Sequence, residues 1–317
     1  MKKSLWLIAV LALLIPGISF AEQAKKAPVP VTVGIYVTDI YDVDLKKSLY
    51  TADFYLWFRW QGHVNPRRFE IVNGNLTAKS IDSYTTVKGI HHISYRCRAV
   101  MHGQFNLSDY PWDTQVMPIV IEDDNSDIKS LIYIADADDS KTSAEMKVAD
   151  RVISTFKVFV QDNVYDTTFG NPTRAANDKA TYSRFVAELT VVHAGIRGFV
   201  KTFLSLFIAV AIAFLTFIIP PGDLPPRFSM GLTGLFGAVS SQIVLYQLLD
   251  ECPYLTVADK IHYISLFFIF LSILESAIAL RLFHAGKELV WKRMDQCSIV
   301  AFPLLFILSV ILLVAVR

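Results

Sequence analysis

Carboxylates crowd into one short run, Glu122-Asp123-Asp124-Asn125-Ser126-Asp127. Beside aromatic rings, Asp123 and Asp124 suit a cationic ligand held by charge and cation–π contact, and oxygens from Glu122, Asp123, Asp124 and Asp127 suit calcium. The run lacks the regular spacing of a calcium loop, so a solvated acidic turn stays open as the plainer reading. A second group follows a helical period: Ser229, Thr233, Phe236, Ser240, Ile243 and Gln247 recur every three or four residues and share one helix face. Hydroxyls on such a face either meet an ion or glue helices together, as small and polar residues do in membranes. Among the histidines, His193 is either a pH-responsive group or a buried neutral ring with a backbone partner. His63, His91, His92 and His102 form no metal-ligand constellation. With no nucleophile or phosphate motif in view, an enzyme is the weakest reading.

These groups need two kinds of support. From Val29 to Val192 the chain reads as short β-type runs between Asn, Asp, Gly, Pro and Ser clusters, which predicts an antiparallel, immunoglobulin-like sandwich. In the run from Asp53 to Trp60, Phe54, Leu56, Phe58 and Trp60 fall on one face and Asp53, Tyr55, Trp57 and Arg59 on the other. Tyr55 and Trp57 are therefore candidates for an interface or a ligand box, or plain edge aromatics. Phe185, Ala187, Leu189 and Val191 form the core face of a later strand, and residues 166–181 read as a hairpin loop.

The chain has 317 residues, is 53% hydrophobic and carries a formal net charge of +1, which gives no electrostatic footprint for nucleic acid. Its apolar content sits at the start and in the last third. Residues 1–21 follow the order of a secretory signal. Four later stretches are long enough to span a membrane, at about 198–219, 226–249, 259–283 and 295–316, so the expected division is a sandwich over 22–196 and a four-helix transmembrane bundle over 197–317. Glu275, inside the third stretch, must face protein or water. Basic residues from Arg281 to Asp295 place that connection in the cytoplasm by the positive-inside rule, with the sandwich on the other side. Cys252 and Cys297 then fall on opposite sides of the membrane and cannot pair.

Phe105 to Gln115 has Tyr110-Pro111-Trp112-Asp113 at its centre, which resembles the signature loop of the Cys-loop superfamily of pentameric ligand-gated channels. The likeness covers essentially the whole mature chain and is nearest to the bacterial branch. The two cysteines that name the superfamily would fall at Gly103 and Met117, so its disulfide is absent. Gly34 to Tyr41, the Pro253-Tyr254-Leu255-Thr256 loop and the short third connection carry the same likeness. The run from Pro225 to Phe236 aligns without gaps on the pore helix of anion-selective members.

The resemblance implies a homopentamer in a bacterial inner membrane, with its N-terminal domain in the periplasm and a small-molecule or proton agonist. It implies that Ser229, Thr233, Phe236, Ser240, Ile243 and Gln247 line the pore, with Phe236 and Ile243 closing it by dewetting. Pro225, Pro226 and Arg227 would form the inner mouth, where a helix N-terminus and an arginine favour anions. Asp223, Asp250 and Glu251 argue for cations. Agonist would bind between subunits at Tyr55, Trp57 and Tyr182, with Asp123 and Asp124 where relatives carry an aromatic. Coupling would run through Lys46 and Lys47 in the first hairpin turn, Pro111, Trp112 and Asp113, and Pro253 and Tyr254. His193 stands where the family's coupling arginine is expected, Arg197 one turn on. No cofactor is implied beyond calcium as a modulator. A non-conducting anchored receptor is the alternative.

Overall fold

In a computed structural model the chain forms a β-sandwich followed by four long apolar helices, and the structure describes residues 27–148, 151–170, 179–193, 195–249 and 253–316. The stretch read as a secretory signal lies outside these residues, as do Asp250, Glu251 and Cys252.

One sheet runs β4-β5-β2-β1-β7 and the other β3-β6-β10-β9. Their strands are β1 (Val29–Asp44), β2 (Leu49–Trp60), β3 (Phe69–Ile71), β4 (Gly74–Val87), β5 (Ile90–His102), β6 (Thr114–Asp123), β7 (Leu131–Ala135), β9 (Arg151–Tyr165) and β10 (Ala180–His193), with the short β8 (Lys141–Thr142) beside β1. Alternation in β2 works as expected: Phe54, Leu56 and Phe58 are fully buried and Trp60 nearly so, meeting Phe185, Ala187, Leu189 and Val191 of β10 in one core. The sandwich is not wholly antiparallel. β7 and β8 both lie parallel to β1, because the chain leaves β6 in one sheet and enters β7 in the other.

The helices are α1 (Ile196–Phe214, continued by a 3-10 turn over Leu215–Ile218), α2 (Leu224–Leu248), α3 (Val257–His284) and α4 (Glu288–Val316). All four are long and apolar enough to cross a bilayer, which makes this a multi-pass membrane protein. The fourth helix begins at Glu288 rather than near residue 295. An ion pair between Glu288 and Lys292, one turn apart, supports a polar extension of the apolar span, so the connection expected as a loop is mostly helix. Thr256 caps α3, accepting the Asp259 N–H at 3.1 Å, while the Asp259 carboxylate accepts the Thr256 N–H at 2.9 Å.

Small residues let α2 sit close to its neighbours. A β-carbon at Gly234 would stand 2.6 Å from the Ala209 carbonyl oxygen of α1, and one at Gly231 would stand 2.7 Å from Ile273 of α3. A wholly buried ionic cluster lies at the opposite end of the bundle from the sandwich. Arg227 of α2 meets Asp295 of α4 at 2.7 Å and Glu275 of α3 at 3.0 Å, and donates to the Ile219 carbonyl at 2.7 Å. Glu275 thus faces protein, as its cost in lipid demands. Removing the cation alone would strand two buried carboxylates, at a cost of about 3–5 kcal/mol. Arg227→Met should therefore sharply lower the thermal stability of detergent-purified protein, and adding Glu275→Gln with Asp295→Asn should recover most of the loss.

Candidate functional site

Helix α2 has two unlike faces. Arg227, Gly231, Gly234, Ala238, Ser241 and Leu245 point into the chain's own bundle and are buried. Ser229, Thr233, Phe236, Ser240, Ile243 and Gln247 are all exposed, Phe236 at 64% and Ile243 at 54%. The reading of the hydroxyl stripe as glue within one chain therefore fails. That role belongs to the glycines and to Ser241, whose hydroxyl contacts Ser205 of α1 at 3.3 Å and His262 of α3 at 3.2 Å. The exposed face offers hydroxyls at Ser229 and Thr233, then the apolar side chain of Phe236.

At the start of α2, Pro225 and Pro226 are exposed. Arg227 is not. The expectation that it places a full positive charge at the mouth is corrected: its side chain is 0% exposed and is spent on Glu275 and Asp295. Asp223 stands exposed just before the helix, with no side-chain capping bond.

At the other end of the bundle the loop over residues 105–113 is sunk into the helices. Leu107 and Tyr110 belong to the helical core, and Trp112 stacks on Phe199 of α1 with ring centres 5.0 Å apart. Pro111, buried, follows a cis peptide bond. The Leu107 N–H donates to the Tyr254 hydroxyl at 3.1 Å, and the Val257 N–H donates to the Ser108 carbonyl at 2.9 Å. The sandwich thereby holds the α2–α3 connection by its backbone. Lys46 and Lys47 face solvent, Lys47 turned to Asp44 at 3.4 Å, and Leu45 makes the hairpin turn's contact with the bundle. Pro253 and Arg197 are exposed.

Asp113 forms a buried ion pair with Arg151 at 2.8 Å, both side chains at most 3% exposed. Arg151 opens β9 and is the cross-strand partner of His193. A guanidinium thus meets Asp113 from β9, the strand beside β10. His193 instead packs its ring over Gly198, where a β-carbon would lie 2.1 Å away, and edge-on to Tyr110 at 5.9 Å.

The candidate ligand residues divide between the two sheets and do not meet within one chain. Tyr55 and Trp57 are half-buried on β2. The Trp57 ring covers Gly34, and its indole N–H donates to Asp136 at 3.0 Å, the same carboxylate oxygen that Arg59 reaches at 2.6 Å. Tyr182 is half-buried on β10, edge-on to Tyr165 of β9 at 5.8 Å.

The carboxylates of the acidic run have partners within the chain. Glu122 accepts from Arg184 at 2.6 Å and from the Tyr165 hydroxyl at 3.0 Å, Asp124 pairs with Arg68 at 3.1 Å, and Asp127 accepts the Lys129 N–H at 3.1 Å. Asp123, 2% exposed, accepts the Asn125 and Ser126 N–H groups. Among the described residues no three His, Cys, Asp or Glu side chains gather to hold a metal ion.

Comparison with protein-family models and with curated proteins returns no match for this chain.

A double-mutant cycle tests whether Arg151 and Asp113 act as one unit. Arg151→Met and Asp113→Asn should each destabilise the protein, and the double variant should lose less than their sum by up to about 3 kcal/mol. Hydrogen exchange of residues 105–113 should quicken in each single variant.

Proposed function

We propose that this chain is one subunit of a pentameric ligand-gated ion channel, whose sandwich receives a chemical signal outside the cytoplasm and whose α2 helices line the pore. The observation that carries the reading is the exposed face of α2, where Ser229, Thr233 and Ser240 alternate with Phe236 and Ile243 away from every contact in the chain's own bundle. Around a central axis, five such faces would give hydroxyl rings that replace part of an ion's water, and an apolar ring that closes by dewetting. The loop over 105–113 would pass movement of the sandwich to the α2–α3 connection through the Tyr254 and Val257 hydrogen bonds. Arg281, His284, Lys287, Lys292 and Arg293 are exposed at the far end of the bundle, which favours that end for the cytoplasm.

Agonist would bind where Tyr182 of one subunit faces Tyr55 and Trp57 of the next, since the two sheets present these rings on separate surfaces. With Glu122 and Asp124 already paired to arginines, the aromatic rings supply most of the recognition. Anion selectivity remains favoured on narrower grounds. Arg227 contributes no net positive charge at the mouth, so the preference rests on five helix N-termini of about half a charge each, opposed by Asp223. A non-conducting anchored receptor is the second reading, supported by the exposed Leu232, Val239 and Val244 that flank the hydroxyl stripe and suit plain helix or lipid contact.

Two measurements on purified protein in a planar bilayer separate these readings. Phe236→Ser should raise resting conductance, because a hydroxyl ring holds water where the apolar ring expels it; an unchanged leak from properly assembled protein removes Phe236 as the gate. Pro226→Glu should move the reversal potential from that of chloride toward that of sodium, and a wild-type potential that tracks sodium alone would rule out anion selectivity.

A further inference from the structure

Four carboxylates converge where β3 meets β6. Glu70 and Glu122 are direct cross-strand partners, Phe69 pairs with Asp123, and Asp124 follows at once. Like charges opposite one another on adjacent strands repel. The charged and titratable groups facing this cluster come from every neighbouring element: Arg68 ahead of β3, which pairs with Asp124; Lys79 of β4, which feels the Asp124 charge; Tyr133 of β7; Tyr165 of β9; and Arg184 of β10, which pairs with Glu122.

Asp123 stands apart within this group. Its Oδ1 accepts the Ser126 N–H at 2.7 Å and the Asn125 N–H at 3.1 Å, but its Oδ2 is buried and has no hydrogen-bond partner. The Tyr133 hydroxyl is likewise buried without a partner, and the two residues lie within electrostatic reach of each other. An ionised carboxylate oxygen out of water and without a donor costs more than the same oxygen carrying a proton. Burial pushes Asp123 above the ordinary carboxylate range, and burial together with Glu122, Asp124 and Asp123 does the same for Glu70.

We propose that Asp123 is a proton-binding site of the sandwich, and that its occupancy governs how firmly Glu122, the preceding residue on β6, holds the β9–β10 hairpin. Glu122 touches both strands of that hairpin, through the Tyr165 hydroxyl on β9 and Arg184 on β10. Neutralising its neighbour removes a like charge from beside that grip and tightens it. The regulatory consequence, a signal domain that reads pH through the strands carrying Tyr182, rests on the channel reading; the proton site itself does not.

The sign is fixed by the direction of the shift. A carboxyl held above its unfolded value, which is about 4, stabilises the fold fully below that value and loses the contribution as pH rises through the folded value. Asn at position 123 is neutral at every pH and keeps Oδ1 as an acceptor, so it imitates the protonated side chain. Thermal unfolding of the full chain in lipid nanodiscs, wild type against Asp123→Asn, should give matching midpoints near pH 4. At pH 7.5 the variant should melt about 2–4 °C higher. A difference that stays constant with pH, or a variant that melts lower at pH 7.5, overturns the site. Because this readout needs no current, a silent protein with the expected curves loses only the channel, and a conducting protein with pH-independent differences loses only the proton site.

Discussion

Arg227 has no route to water, and that fixes how α2 can turn. Its guanidinium is fully buried between Glu275 and Asp295, so any rotation of α2 about its axis would drag a charge out of its only ion pairs in the described structure. The glycines enforce the same rotation by sterics, since Gly231 and Gly234 face Ile273 and Ala209 at distances where no side chain fits. One electrostatic and one steric constraint thus agree, and together they leave the Ser229, Thr233 and Phe236 face turned outward. A buried ion pair is weak evidence for net stability, because desolvation consumes most of its attraction. Its value here is specificity, since it selects one rotation among those that hydrophobic burial alone would tolerate.

The junction of the two domains follows a similar rule. Two backbone hydrogen bonds, one stacked aromatic pair and the apolar residues Leu107 and Tyr110 tie the loop to the helices, while Asp113 and Arg151 tie the same loop to β9. The β9 strand and the α2–α3 connection therefore both contact one short segment.

Much of this was legible in the sequence, because the strongest signals are periodic. The alternation of Phe54, Leu56 and Phe58 gave the core face of β2, and four apolar runs gave the four helices. The direction of Arg227 was legible too, though not from its place in the chain. At about 100° per residue it falls across the helix from Ser229, so a helical wheel puts it with Gly231 and Gly234 rather than at the mouth. The need of Glu275 for a partner pointed the same way. Arg151 could not be found like this. Its meeting with Asp113 depends on the register of β9 against β10, set by strand pairing across a long hairpin, and no local pattern encodes it. The commitment of Glu122 to Arg184 and Tyr165 is long-range in the same sense, which is why the acidic run left a ligand surface and a solvated turn both open.

The central claim is that one face of α2 borders water and the other borders protein. Cysteine accessibility tests it residue by residue, using a charged, water-soluble thiol reagent on full-length protein in membranes after Cys97, Cys252 and Cys297 have been replaced. Cysteines introduced at Ser229, Thr233, Ser240 and Gln247 should be modified and should alter ion flux, while those at Ala238, Ser241 and Leu245 should stay unreacted. Equal protection of both sets would mean that the hydroxyl face borders lipid or another helix rather than an aqueous path, and would contradict the account.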